Sequence, residues 1–248
     1  MNNQFIIISC GRNCEKFVKS HMESIRKQSF QNFKHIIVDD CSDDNTVKEV
    51  MKYGTDNDIL CRNNKRQYWI KNAIKYLTPH IITGEEIVVI VDLDDWLHTT
   101  NALEIVNNTY NNFKECWMTY SRMMYASNGV NSSWIPPYNL TTFTTSNFRK
   151  VIWSFTHLRT FKGFLWKELK DEDLRDENGE YFKYAYDQAV LLPMLEMSAP
   201  NHIIFIPKTL YVYNDINPNQ VEKNHRKEEQ EKTSRYIRQK IPYQRLDR

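Results

Sequence analysis

The chain has 248 residues, 41% of them apolar and 13% aromatic, enough to bury one sizeable α/β core. Its 33 basic and 31 acidic residues leave a formal charge of +2, which excludes the broad positive footprint of a nucleic-acid binder. No apolar run is long enough to span a membrane, and the five cysteines are scattered without zinc-site spacing, so reduced thiols in a cytoplasmic setting are expected.

The opening Met1-Asn2-Asn3-Gln4 lacks the pattern of a secretory signal and runs straight into an apolar strand at residues 5–8. Asn13 is placed to cap a helix in which Val18, Met22 and Ile25 share one face. A second strand, 35–38, ends in Asp39-Asp40-Cys41-Ser42-Asp43-Asp44, and a helix over 46–53 follows, stopped by Gly54. A short strand at 59–61 precedes a helix over 68–77, where Ile70, Ala73, Ile74 and Leu77 recur at helical spacing. Residues 87–91 are β-branched without a break, which is what a strand buried on both faces looks like. Alternating strands and helices predict a mostly parallel sheet with right-handed crossovers.

Beyond this half the pattern is less regular. A strand is expected at 116–120, a loop at 127–138 around Pro136-Pro137, and a largely buried helix at 184–197 bent by Pro193. Two short strands follow at 202–206 and 210–213. Residues 222–240 carry acid–base pairs four apart, Glu222/Arg226, Glu228/Lys232 and Glu231/Arg235, the mark of a solvated terminal helix. The Asn-x-Ser/Thr triplets at Asn107, Asn131 and Asn139 are chance matches in an Asn-rich chain.

The chemistry concentrates after the fourth strand, where Asp92, Asp94 and Asp95 fall within four positions. Like charges this close push one another toward protonation unless a cation intervenes, and oxygen clusters suit Mg²⁺ or Mn²⁺ bridging to phosphates. Asp is also a common turn residue, so an acidic strand exit is the plain alternative. Two strands ending in acids point to one crevice at the carboxyl edge of the sheet. The chain has neither Gly-x-Gly-x-x-Gly nor Gly-x-x-x-x-Gly-Lys, which disfavours a dinucleotide fold or a P-loop.

Four segments in order carry a resemblance. Residues 5–13, Phe-Ile-Ile-Ile-Ser-Cys-Gly-Arg-Asn, open the chain, and residues 37–46 read Ile-Val-Asp-Asp-Cys-Ser-Asp-Asp-Asn-Thr. Residues 70–74 read Ile-Lys-Asn-Ala-Ile, and Asp92-Leu93-Asp94-Asp95 closes the set. In this order the chain resembles the GT-A fold, family 2 type of inverting glycosyltransferase over 5–219. It departs at Cys41, where relatives carry Gly, and at Lys71, where they carry Arg. Residues 157–162, 186–196 and 210–218 resemble recurring segments of a subgroup, but Tyr186-Asp187 stands where relatives often have Glu-Asp.

The resemblance implies a Rossmann-like α/β domain over 1–220, with a nucleotide-sugar and metal half at 1–120 and an acceptor half at 121–220. Residues 221–248 would form the charged helix and tail. It implies transfer of a sugar from a nucleotide diphosphate, UDP by family habit, to a hydroxyl of a glycan, lipid-linked or protein acceptor. Mn²⁺ or Mg²⁺ would be held by Asp94, with Asp92 toward the ribose or the metal's waters and Asp95 orienting the ligands. Ser9, Gly11, Asn13, Asp39, Asp40, Lys71, Leu93 and Arg159 would border the donor, with Asp40 on the nucleotide base. Asp187 would be the general base.

For Asp39 and Asp44 a structural role at the turn and the helix start stands beside the functional one, and Asp187 has the alternative of capping its helix. His157 is either a metal ligand or a packed polar residue. Lys65, Arg66 and Lys162 are open to phosphate or surface roles, and Trp96, Trp153 and Trp166 to sugar stacking or core. A cytoplasmic location follows, at most peripheral to a membrane, and a host cytoplasm if the source is viral. A metal-dependent nucleotidyltransferase and a non-catalytic nucleotide-sugar binding module are the rival readings.

Overall fold

The structure, a computed structural model, describes residues 3–218 and 227–247. Five strands come first in the chain: β1 (Phe5–Gly11), β2 (Phe33–Asp39), β3 (Asp58–Arg62), β4 (Ile87–Ile90) and the two-residue β5 (Trp96–Leu97). They are followed by β6 (Met118–Tyr125), β7 (Arg159–Lys162) and β8 (Ile203–Tyr213), and all eight join one sheet in the order β3-β2-β1-β4-β7-β6-β8-β5. The first four strands pair in parallel, Phe5 opposite Ile87 and Phe33, while β7 runs antiparallel to both β4 and β6. The sheet is therefore mixed, its parallel half built by the first ninety residues.

The unbroken apolar run of β4 is explained by what covers it. Val88 and Ile90 point into one core cluster with Trp69, Ile70 and Leu191, while Ile87 and Val89 point into another with Ile25, Leu103 and Val106. The covering helices are α1 (Val18–Arg26), α2 (Thr46–Tyr53), α3 (Tyr68–Asn72), α4 (Ala102–Asn112), α5 (Leu140–Thr145), α6 (Gly163–Lys167), α7 (Tyr186–Ser198) and α8 (Lys227–Gln239). The predicted helix over 68–77 is α3 continued by a π-helical turn, Ala73–Leu77. Helix α4 escapes the chain-order reading, although Leu103, Val106 and Tyr110 carry its buried face at helical spacing.

Several local expectations change. Asn13 does not cap α1, whose N-cap is Phe17; its backbone is left-handed (φ 57°) and its side chain reaches the loop after β2 instead. Gly54 ends α2 in an extended conformation, and glycine is required there because a Cβ would lie 2.8 Å from the carbonyl oxygen of Val50. The two short strands expected at 202–213 are one strand. Pro207, which cannot donate to a ladder, falls where the pairing with β6 skips from Ile206 to Thr209. Asn131 and Asn139 cap a 3₁₀ turn and α5 with their side chains, accepting from Ser133 N and Thr142 N. Residues 222–226 of the predicted terminal helix, with the Glu222/Arg226 pair, lie outside the described residues; α8 covers most of the rest.

Candidate active site

Strands β1, β2 and β4 end at one edge, and α7 begins opposite them. Between them lies a cavity of about 310 Å³. The acidic turn after β4 borders it through Asp92, Asp94 and Asp95; the β2 end contributes Asp40, and the far wall carries His157, Arg159, Tyr186 and Asp187. Gly11 lets the end of β1 pass beneath the turn. A Cβ there would sit 2.6 Å from the Cβ of Leu93 and 2.7 Å from the Cys14 sulfur.

The second half of the chain holds the acidic turn. Tyr211 O–H donates to Asp95 Oδ2 (2.6 Å) and accepts from the Asp92 N–H (3.2 Å), and the Asn214 N–H donates to Asp95 Oδ1 (2.7 Å). Asn217 Nδ2 donates to Asp94 Oδ2 (2.7 Å). Tyr186 O–H lies 3.0 Å from both oxygens of Asp92 while its ring stacks on Trp69, centroids 4.5 Å apart. The donors in these contacts are neutral. Burial, with the neighbouring Asp94 carboxylate second, pushes Asp92 up to about 7. Burial raises Asp94, and burial with its two acidic neighbours raises Asp95 well above the usual carboxylate range.

Asp187 occupies the first turn of α7, where the helix dipole favours a carboxylate, and Arg159 Nη2 lies 3.2 Å from its Oδ2. Arg159 is itself anchored, its Nε donating to the Phe155 carbonyl (2.8 Å) with the guanidinium 5.7 Å from the Trp153 ring centroid. Asp40 accepts from Asn63 Nδ2 (2.9 Å) and from the backbone N–H groups of Gln67 and Tyr68 (both 2.8 Å). A carboxylate has about four acceptor positions, so one remains beside the cavity. His157 is held neutral by burial and by Arg159, which lower its pKa, and it stacks on Tyr211 at 4.6 Å.

Other residues singled out in the sequence lie elsewhere. Ser9 is buried under the sheet edge with its hydroxyl 3.0 Å from His35 Nε2. Asn13 and Asp39 shape the loop after β2: Asn13 Oδ1 accepts from Asp43 N, and fully buried Asp39 accepts from Ser42 N and lies 3.6 Å from Arg62 Nε. Asp44 accepts from Thr46 N at the start of α2. Lys71 pairs with Glu180 (3.5 Å) and Lys162 with Glu85 (2.9 Å), both on the surface. The Leu93 side chain is wholly buried, so only its backbone can face a ligand. Trp166 donates to Thr78, and Trp96 pairs with Val212 in the sheet. Arg66, by contrast, borders the cavity with its guanidinium 4.3 Å from the Tyr68 ring centroid.

Tyr186, Tyr211, Asn214 and Asn217 were not predicted as site residues. All four lie within the recurring segments at 186–196 and 210–218, the only signal that pointed to them. Among the described residues no group of three or more His, Cys, Asp or Glu is arranged to hold a metal. No described helix is long and apolar enough to cross a membrane.

A family model described as glycosyl transferase family 2 matches residues 5–161. Among solved structures the chain is similar to Staphylococcus aureus TarS 1–349 in complex with UDP-GlcNAc, with a TM-score of 0.66 and 21% identity over 90% of this chain and 61% of that one. TarS itself superposes with a TM-score of 0.63 at 21% identity, covering 85% of this chain and 36% of that one. The mannosyltransferase PcManGT from Pyrobaculum calidifontis, in complex with GDP-Man and Mn²⁺, gives a TM-score of 0.57 at 16% identity, covering 86% and 57%. The chain thus spans between about a third and three fifths of these proteins, and the likeness is one of fold. The comparison with curated proteins gives no match.

Proposed function

The chain belongs to glycosyl transferase family 2 and has the GT-A fold, and from that premise we propose that it transfers a sugar with inversion from a nucleotide diphosphate to an acceptor hydroxyl. The observation that carries this is one cavity joining a nucleotide-side acid (Asp40), an acidic turn (Asp92, Asp94) and an ionic pair at a helix start (Asp187 with Arg159). TarS was solved with UDP-GlcNAc and PcManGT with GDP-Man, which supports a nucleotide-sugar donor; the higher similarity to TarS favours UDP.

In this reading the acceptor oxygen attacks the anomeric carbon while its proton passes to the Asp187 carboxylate, and the bond from that carbon to the diphosphate oxygen breaks. Arg159 holds the Asp187 carboxylate in place for that transfer. Asp40 takes a hydrogen bond from the nucleotide base with its remaining acceptor position. Asp94 fits a hard divalent cation, having one oxygen held by Asn217 and the other engaged by no other described side chain. Since the described residues alone offer too few ligands, the donor's phosphates would complete the coordination, as is usual for Mg²⁺. A bound Mn²⁺ or Mg²⁺ would neutralise the charge that develops on the leaving diphosphate.

A thermal-shift panel of UDP, GDP, CDP and dTDP, each with Mn²⁺ and with chelator, tests the reading by mass action. One diphosphate is expected to raise Tm only with Mn²⁺, with the shift lost in Asp94→Ala and kept in Asp187→Asn, which in turn loses transfer. Absence of a shift with every diphosphate would remove the donor site and the reading with it.

A further inference from the structure

A second cavity, of about 250 Å³, opens between residues 176–184 and α8. It shares Lys183 and Tyr184 with the first cavity, so the two are neighbours across one wall. Its lining lies wholly beyond the stretch matched by the family model.

The cavity is a built one. Arg175 and Tyr181 bridge a tight turn closed by Gly179 in a left-handed conformation (φ 77°), and Asp176 Oδ1 accepts from the N–H groups of Asn178 and Glu180. From the other side Tyr236 of α8 meets buried Phe182 edge-on, ring centroids 6.0 Å apart. Helix α8 is fixed beside the first cavity as well, since Ser234 Oγ and Arg238 Nε both donate to Gln188 Oε1, next in chain to Asp187.

Two kinds of group line the space. Tyr184 and Tyr236 supply aromatic surface, backed by buried Phe182 and by Tyr181, whose ring carries the Arg175 guanidinium 3.8 Å from its centroid, and Asp176, Glu177, Glu229, Lys183, Lys232 and Thr233 supply donors and acceptors. Among the described residues none of Glu177, Glu229, Lys183 and Lys232 is held in an ion pair, which leaves them available to a ligand. Rings beside mixed donors and acceptors match a saccharide, with apolar ring faces and hydroxyls that both donate and accept. Three acids against two lysines leave the wall slightly negative, which disfavours a phosphorylated or uronic chain. The volume is below the roughly 300 Å³ at which drug-sized ligands are enclosed, so it suits one ring at a time.

We propose that this cavity is a subsite for an uncharged oligosaccharide acceptor, seating the ring adjacent to the one whose hydroxyl faces Asp187. Its role as an acceptor subsite rests on the transferase reading above; its binding of saccharide does not. The probes are cellotriose, maltotriose and chitotriose, with trigalacturonate as the anionic control, followed by saturation-transfer NMR on the full chain. Thr233→Trp fills the cavity from α8, and Glu229→Lys reverses a wall charge at an exposed position should the first variant fold poorly. At least one neutral trisaccharide is expected to bind, and to bind at least tenfold more weakly in both variants, while the diphosphate thermal shift is unchanged. The proposal is overturned if no neutral trisaccharide binds, if only trigalacturonate binds, or if the variants bind as well as the parent. Saccharide binding that responds to the variants, without any diphosphate shift, would keep the subsite and sink the donor reading.

Discussion

Tyr211→Phe removes one oxygen, and nothing else, from the centre of the clasp that Tyr211, Asn214 and Asn217 form on the acidic turn. Tyr211 is fully buried, and its ring contact with His157 survives the change. Its hydroxyl serves two partners, the Asp95 carboxylate at 2.6 Å and the Asp92 N–H at 3.2 Å. Asp95, 1% exposed, keeps a donor in Asn214 N, so it is weakened and not abandoned. A hydrogen bond contributes about 0.5–1.5 kcal/mol to a neutral partner and about 1.5–3 kcal/mol to a charged one, and a buried N–H left without an acceptor costs about 1–3 kcal/mol. Partial relaxation and overlap of the two terms give an expected loss of about 3 kcal/mol, which for a chain of this length is about 6–12 °C in Tm.

The loss has a pH dependence of known sign. Tyr211 holds the Asp95 pKa down against the burial that raises it, so its removal raises the folded-state pKa further. The unfolded carboxylate ionises near its ordinary value, so stability falls as pH rises above that value toward the folded-state one, and the variant, whose folded-state value is higher, goes on losing stability after the parent has stopped. Urea unfolding at a series of pH values from 5 upward should therefore show a difference between parent and variant that never shrinks and that widens once Asp95 ionises in the folded parent. A difference below about 1 kcal/mol at pH 8, or one that shrinks as pH rises, would refute the clasp as a source of stability.

Two further outcomes follow from buried charge elsewhere. Arg149 is bidentate to Glu196 (2.6 and 2.9 Å) and donates to the Ile237 carbonyl (2.6 Å), so it ties α7 to α8; Arg149→Met alone should cost about 3–5 kcal/mol by urea unfolding. Arg149→Met with Glu196→Leu should recover much of that, and a double variant worse than the single would contradict the account. His21 is buried on α1, and its Nδ1 is 2.8 Å from the Asp95 carbonyl, which makes that nitrogen the donor of the neutral ring. Burial, then nearby His35, lowers its pKa to about 3, so the unfolded chain gains a proton first as pH falls. Stability present above about pH 6.5 is lost between there and about 3, roughly 2 kcal/mol of it by pH 5. His21→Gln should lack that component between pH 7.5 and pH 5; an unchanged slope would show that His21 does not titrate with unfolding.

How far the sequence carried the fold depended on whether a signal was local. The five β-branched residues of 87–91 announced a doubly covered strand because burial on both faces leaves no polar alternation to confuse the pattern. Strand β5 has two residues, and the pairing of β7 with β4 is antiparallel after a long excursion, so neither leaves a period to read. The acids of the site were legible for the same reason in reverse, being clustered where apolar strands stop. Their partners were not. Tyr211, Asn214 and Asn217 lie more than a hundred residues beyond the turn they hold, and an isolated Tyr or Asn has no spacing that points across such a distance. Ser9 failed in another way: alternation in β1 sends its hydroxyl beneath the sheet toward His35, a direction that the motif does not encode.

The distribution of charge between the two walls is the most informative property of the crevice. On the wall of the acidic turn, the contacts to Asp92, Asp94 and Asp95 come from hydroxyls and amides. Such donors fix the carboxylates in position and lower their pKa values in part, but burial outweighs them, joined at Asp92 and Asp95 by the neighbouring acids, and all three are pushed up. On the opposite wall the guanidinium of Arg159 is committed to Asp187 at 3.2 Å. A guanidinium on the acidic turn would have cancelled the field that draws a cation there, and Asp187 without one would lose the partner that orients it. Under the transferase reading these are opposite requirements, an unquenched anionic pocket for a cation and its diphosphate and a charged base held in place for the acceptor. Tyr186 joins the two walls: its hydroxyl is on Asp92, and the next residue in the chain is Asp187. At position 186 this chain places a neutral donor, which keeps a fourth carboxylate away from a turn that already has three.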